Sequence, residues 1–368
     1  MANDNHWTRR TVLRSSVAVA GLGVAAGCIT GDDSNGDTDG SESYSVTMEP
    51  VGTVEFDSVP ETWMGNNGSW ADMGIALGQD PPEGVWLTER FHTQYYDEIP
   101  GVSVDKSDMI ALSESGADRE VFFEHDVDVH VIDPNFLMNR YEGWDEDDIE
   151  EVEQAIAPFF GNSIFSRDYT WHEDYEYLSL YEAFEKLAEV FQEQERYEAF
   201  ADLHDEFQAT IDDVVPADES PEVAILWPAD GDSYYPYTID KGTSFKQWHD
   251  LGVRDALGEG GLEDFHDSRG QIDYENLLEI DPDVLLIRGR EEQTAEEFQD
   301  EIVADMETHN VASSLTAVQN GDVYRGGGLY QGPITNLVLT ERAAQQLYDV
   351  DEELFDRQRV SDIVNGEF

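Results

Sequence analysis

Basic residues are what this sequence has least of. Its 368 residues hold 20 Lys and Arg against 82 Asp and Glu, a formal net charge of −62 at pH 7. Only four of the bases are Lys. Such a surface repels DNA, RNA and anionic membrane faces, which excludes nucleic acid as a partner and leaves the membrane reachable only through an attached anchor. Cysteine is nearly absent too. Cys28 stands alone, so the chain can form no internal disulfide and no thiolate metal site. Several catalytic patterns are missing: there is no Gly-x-Ser-x-Gly, no P-loop and no His-x-x-x-His pair. Ser, His and Asp all occur, but no spacing draws them together, so no catalytic constellation is legible and catalysis is not expected.

What is present is a packed protein. Forty per cent of the residues are apolar and 11% aromatic, enough to fill cores and exclude a disordered chain. The length suits two domains. The acids run along the whole chain rather than in one block, which reads as a solvated surface. In salt of about 1 M the Debye length falls to about 3 Å and self-repulsion is screened. In this respect the chain resembles the proteins of extreme halophiles.

Residues 1–28 read as an export signal. Thr8-Arg9-Arg10-Thr11-Val12-Leu13 is a twin-arginine pattern, and the stretch from Ser15 to Gly27 is too short and too rich in Gly and Ala for a stable membrane span. Ala25-Ala26-Gly27-Cys28 resembles a lipobox, which makes Cys28 the expected lipid attachment site; Ala25 departs from the usual Leu. Residues 29–43 read as an acidic flexible linker. The alternating acids from Asp33 to Asp39 lack the Gly and Glu of a calcium loop.

Thereafter strands and helices alternate. Tyr44–Met48 and Gly52–Phe56 read as a hairpin, Thr62–Gly65, Val85–Thr88 and Val127–Ile132 as strands, and Trp70–Leu77, Ala117–His125, Glu150–Phe160 and Leu178–Phe191 as helices. Beyond Pro221, Val223–Trp227, Val284–Arg288 and Val323–Arg325 read as strands. Ser244–Leu257, Tyr274–Ile280, Thr294–Glu307 and Pro333–Tyr348 read as helices. Asp230–Tyr237 reads as a strongly aromatic loop. Between the two halves lies residues 194–215, without Gly or Pro. Its Tyr197, Phe200, Leu203, Phe207, Ile211 and Val214 recur three or four apart, the spacing of one helix face. The expected fold is α/β, with two Rossmann-like lobes of mainly parallel sheet, residues 44–193 and 216–368, joined by this single long spine helix.

An internal echo supports two lobes. Without gaps, the run Asp118–Ile132 matches Asp273–Ile287. Asp118, Glu120, Glu124, Asp126 and Asp128 fall on Asp273, Glu275, Glu279, Asp281 and Asp283. Ile280-Asp281-Pro282-Asp283 closes the second copy, His125-Asp126-Val127-Asp128 the first, and Leu315–Tyr324 contains Ala317-Val318-Gln319-Asn320-Gly321-Asp322-Val323-Tyr324. On these features the chain resembles the substrate-binding proteins of ABC importers whose lobes are joined by one long helix: siderophore, haem and cobalamin binders.

That resemblance implies an extracytoplasmic lipoprotein, lipid-anchored at the outer face of the cytoplasmic membrane and monomeric. It would capture an iron(III) chelate for an ABC permease and its ATPase. It implies no cofactor beyond that cargo and no resident metal. It also implies that Glu120 and Glu275 dock on Arg of the two permease subunits. The residue types suited to a bulky, partly anionic chelate are aromatic faces, phenols and guanidinium forks. At or near strand ends these are Trp63, Trp86, Tyr95, Tyr96, Asn135 and Trp171 in the first lobe, and Tyr235, Tyr237, Lys246, Arg288, Arg290 and Tyr330 in the second. Arg288 and Arg290 stand out because they leave a buried strand in a chain poor in bases. Cobalamin, haem, a metal ion or an oxyanion on the same scaffold stay open as cargo, as does a secreted hydrolase or a sensor lipoprotein.

Overall fold

Two separate sheets organise the chain. The computed structural model describes residues 43–368 except 115, 168, 170, 173, 217–219, 265–269 and 349. The export signal, Cys28 and all of the linker but its last residue lie outside the described residues. The hairpin of β1 (Tyr44–Met48) and β2 (Gly52–Phe56) has the bounds its alternation predicts. The first lobe's sheet runs β5 (Ile110–Ala111), β4 (Gly84–Val85), β3 (Trp63–Gly65), β6 (Val129–Val131), parallel throughout. The second sheet runs β10 (Ile272–Asp273), β8 (Ser233–Tyr237), β7 (Glu222–Pro228), β11 (Val284–Ile287), β12 (Val323–Arg325), with β9 (Arg254–Asp255) beside β7. Here β9, β7, β11 and β12 pair in parallel, while β8 and β10 are antiparallel.

Several stretches differ from the sequence reading. The helix read over Glu150–Phe160 is α4 (Glu146–Ala155), and the strand read over Val85–Thr88 is only Gly84–Val85, followed by a 3-10 turn over Thr88–Arg90. Asp230–Tyr237 is not all loop, because Gly231 at φ +68° turns the chain back and Ser233–Tyr237 pairs along β7. The helix expected over Ser244–Leu257 is broken. A 3-10 turn, Thr243–Phe245, leads into α7 (Lys246–Asp250), and Gly252 at φ +63° ends it. Arg254 then donates its backbone N–H to the Pro221 carbonyl, 3.0 Å, and joins the sheet edge.

Each sheet is covered on both faces. Along β7, Val223 and Ile225 enter one core while Ala224 and Leu226 enter another, the two-residue period of a strand buried on both sides. The inner faces share a single core. It is roofed by α1 (Gly68–Ala76), α5 (Leu180–Phe191), α6 (Gln194–Val214), α9 (Pro333–Tyr348) and α10 (Arg357–Val364). The spine α6 buries Phe200, Leu203, Phe207 and Ile211. Phe200 meets Phe184 of α5 at 5.9 Å, and Phe207 meets Phe355 at 6.0 Å. Burial of these four side chains is worth roughly 1.5–3 kcal/mol each. At the start of the spine the Arg196 guanidinium donates to the carbonyls of Leu77, 2.7 Å, and Val364, 3.1 Å, fastening it to the ends of α1 and α10.

The echo is visible in three dimensions. It spans α2 (Arg119–Glu124) with β6, and α8 (Tyr274–Ile280) with β11. Asp118 and Asp273 each cap their helix, accepting from the N–H of Glu120 and Glu275. Asp128 accepts from Thr62 N–H just before β3, and Asp283 from Glu222 N–H at the start of β7. Phe122 and Leu277 are fully buried at the same step of each copy.

Candidate functional site

Strand ends build the cleft between the lobes. Because β3 to β6 are parallel, their carboxyl ends share one edge, where loops are free to diverge around a ligand. Past β4 come Trp86, Leu87 and Arg90. Past β6, Asp133 caps α3 (Pro134–Arg140), which carries Phe136 and ends on Arg140. From the second lobe come Tyr237 at the end of β8, the Ser244-Phe245 turn, and the Leu329-Tyr330 loop beyond β12. These residues, with Phe165, Tyr169, Asp240 and Asp264, enclose a cleft of about 350 Å3.

One wall is aromatic. Trp86 packs on Tyr141 at 4.5 Å and on Phe136 at 5.5 Å; Phe136 meets Phe165 at 6.0 Å; Phe165 reaches across to Tyr330 at 5.9 Å. Three guanidinium groups gather here despite the charge of −62. Arg90 lies over the Trp227 ring of the opposite lobe at 4.7 Å and lines the cleft with Tyr330. Arg140 is exposed at the carboxyl end of α3 and has no hydrogen-bond or ion-pair partner among the described residues. Arg288 lies beneath the floor, fully buried. One of its N–H groups donates to the Ser244 carbonyl, and its plane lies 4.8 Å from Phe245 and 5.8 Å from Tyr237. Its Nε and Nη1 have no partner among the described residues. Burial pulls its pKa down to about 10, so it remains charged near neutrality. The acids facing these cations are already engaged. Asp240 accepts from the backbone N–H of Arg167, 3.0 Å, and of Gly242, 3.3 Å; Asp264 accepts from Thr238 N–H, 2.9 Å.

Of the residues singled out from sequence, Trp86, Tyr237 and Tyr330 line this cleft. Arg288 lies directly under it, and Trp171 stacks behind Tyr169 at 4.2 Å. Asn135 is occupied at the start of α3, its amide donating to Asp133 at 3.1 Å. Tyr235 stands opposite Trp227 in the β7–β8 pair, and Arg290 is half-buried past the end of β11. Trp63 is core, edge-on to Phe191 at 5.6 Å. Tyr96 is core as well, donating to Asp72 at 2.6 Å. Tyr95 faces a small interlobe cavity with Glu291, Arg325 and Arg342. Lys246 lies in a separate groove beside the spine, bound to Asp250 at 2.8 Å and within 3.1 Å of His204 Nε2. Glu120 and Glu275 are exposed on α2 and α8. The sequence reading did not single out Arg90, Arg140, Phe136, Phe165 or Tyr169. Two of these, Arg90 and Arg140, are rare bases within ten residues of a strand's carboxyl end, a signal that was available.

A family model for periplasmic binding proteins matches residues 70–328. Among curated proteins none matches the chain. Solved structures share the fold at low identity. A periplasmic binding protein from Veillonella parvula is 18% identical, with a TM-score of 0.59 over 84% of this chain and 99% of that one. An FhuD fold-family protein from Bacillus subtilis, a component of a Fep/Fec-like ferrichrome ABC transporter, is 16% identical, with a TM-score of 0.51 over 80% and 99%. Staphylococcus aureus SirA, solved with staphyloferrin B, is 15% identical, with a TM-score of 0.53 over 86% and 100%. The two sheets, the unbroken helix between them and the matched 70–328 segment agree, and the chain belongs to the periplasmic binding protein family, a family of extracytoplasmic binding proteins rather than enzymes.

Proposed function

We propose that this protein captures an iron(III) chelate in the interlobe cleft and passes it to the permease and ATPase of an ABC importer, while a lipid on Cys28 holds it at the outer face of the membrane. The observation that carries the reading is the gathering of Arg90, Arg140 and buried Arg288 around an aromatic wall in a chain of 20 bases and 82 acids. Aromatic faces suit the apolar rim of a siderophore, and guanidinium forks suit its carboxylate, catecholate or hydroxamate oxygens. Among the described residues no three His, Cys, Asp or Glu are placed to hold a metal ion, so the side chains would touch the organic shell of the chelate. One structure of this fold belongs to a Fep/Fec-like ferrichrome ABC transporter and another is complexed with staphyloferrin B, which fits one scaffold serving several chelates.

The test is tryptophan fluorescence in concentrated KCl, with Trp86 on the cleft wall as reporter. Ferric hydroxamates, catecholates and carboxylate siderophores are titrated beside haem and cobalamin. Saturable quenching by at least one ferric chelate is expected. Arg90→Gln with Arg140→Gln should weaken an anionic chelate roughly tenfold or more, since charge-assisted bonds are worth about 1.5–3 kcal/mol each. Haem or cobalamin binding alone would replace the iron-chelate reading. Unchanged affinity in the double variant would move the site out of this cleft.

A further inference from the structure

Phe123 and Leu278 are large apolar side chains left 40% exposed, which few others among the described residues are. They occupy the same step of the duplicated unit, one in each lobe. Phe123 follows Glu120 by three residues on α2, and Leu278 follows Glu275 by three on α8, so each pair shares a helix face. Their neighbours Phe122 and Leu277 are fully buried and fix both helices, so the exposed rings and methyls are held out on rigid supports. Leaving one such side chain in water is ordinary. Leaving two at matched positions of an internal repeat is a pattern.

We propose that Phe123 and Leu278 are paired apolar anchors of a bipartite docking surface for a membrane protein with two equivalent faces, each offering an apolar pocket beside Arg or Lys. This rests on the reading of the chain as the cargo protein of an importer. Two considerations choose the occupant. The repeat presents one Glu-plus-apolar unit per lobe, which matches a partner with two-fold symmetry. The charge of −62 disfavours a second copy of this chain and favours a basic partner. A third consideration assigns the anchors their role. Among 82 acids a single Glu carries little distinguishing information, and in salt of about 1 M ion pairs at a rim are screened within about 3 Å. Apolar burial is not weakened in this way, so the anchors supply affinity where Glu120 and Glu275 cannot.

The experiment replaces the chromosomal gene in the native host and follows uptake of radiolabelled ferric chelate, with chelate affinity of each purified variant measured by fluorescence. Phe123→Ser with Leu278→Ser should cut uptake about tenfold or more, the loss typical of interface anchors, with affinity unchanged. Phe123→Leu with Leu278→Phe should retain most uptake. Glu120→Gln with Glu275→Gln should lose less as external KCl rises, whereas the Ser pair should not recover. A photo-crosslinking residue at 123 or at 278 should join the same integral membrane protein. Normal uptake by the Ser pair, or crosslinks only to lipid or to a second copy of this chain, would overturn the proposal. If no chelate binds the wild type, the cargo reading fails on its own, and the crosslinks still decide the docking surface.

Discussion

Lowering KCl from about 1 M to about 0.1 M should drop the thermal midpoint by roughly 10–20 °C, as the Debye length grows from about 3 Å to about 10 Å. With 82 acids and 20 bases, most carboxylates have no basic partner to meet. The bases that exist are concentrated rather than spread. Arg254 serves both Glu222, 2.6 Å, and Glu259, 2.5 Å, while Arg342 and Arg357 converge on Glu98 and Glu341. The exposed Arg254 pairs are worth about 0–1 kcal/mol each, and the Arg357 pair with buried Glu341 must first offset the cost of burying that carboxylate. They cannot offset the mutual repulsion of the remaining carboxylates, which falls hardest on the compact state. Circular dichroism melts across a KCl series check this, with glycerol at matched osmolality as a control that adds no screening. A midpoint indifferent to KCl, or rescued equally by glycerol, would remove the screening argument.

The parts of the fold legible in the sequence are those written in local chemistry. Tyr274–Ile280 begins at a capping box, Asp273 with Asn276, and ends on Asp281 in the left-handed region, so its bounds follow from a few residues. Pro333–Tyr348 has Pro at its first position, where the missing N–H is harmless. The same rule explains an omission. Asp133-Pro134-Asn135 reads as the end of a strand, yet Asp133 is also the N-cap of α3, with Pro134 at its start. One tripeptide closes β6 and opens the helix that carries Arg140.

The site was only half legible, because its geometry is a long-range product. Trp63, Trp86 and Tyr96 are all aromatics near first-lobe strands, but what roofs each position decides its fate. Trp63 faces α5, Tyr96 faces α1, and Trp86 faces the gap. Lys246 is held by Asp250 four residues on, a pairing that helix spacing alone could have suggested. Arg90 acquires meaning only when the second lobe brings Trp227 and Tyr330 to it. The echo, by contrast, was legible, since Asp118 and Asp273 cap their helices and Asp128 and Asp283 brace the neighbouring strand in both lobes; only the helix ends differ, extended at His125 and left-handed at Asp281.

Asp72→Ala is expected to destabilise the fold by about 3 kcal/mol or more, because it strips several buried donors of their acceptor at once. Asp72 belongs to α1 in the first lobe and is fully buried. Its Oδ2 accepts from Ile334 N–H, 2.9 Å, and from the Thr335 N–H, 3.1 Å, and hydroxyl, 3.2 Å, at the start of α9; Oδ1 accepts from Tyr96. A first-lobe carboxylate thus caps a second-lobe helix. Gly332 leaves it room, since a Cβ there would come within 2.4 Å of Oδ2. The Leu329-Tyr330 loop of the cleft runs directly into this cap, so chelate affinity should fall with stability. Burial raises the Asp72 pKa from 3.8 to about 6, against the pull of those hydrogen bonds. A pKa raised on folding favours the protonated form. The stability it adds is therefore complete below about pH 4 and lost as pH rises through about 6. Asp72→Asn cannot titrate and keeps one carbonyl oxygen for the helix start. Between about pH 4 and pH 7 the wild type should lose about 3 kcal/mol relative to the Asn variant, read by denaturant unfolding at constant KCl. Parallel pH profiles for the two proteins would show that Asp72 enters the fold already ionised, with the helix start and its hydroxyls fully repaying its burial.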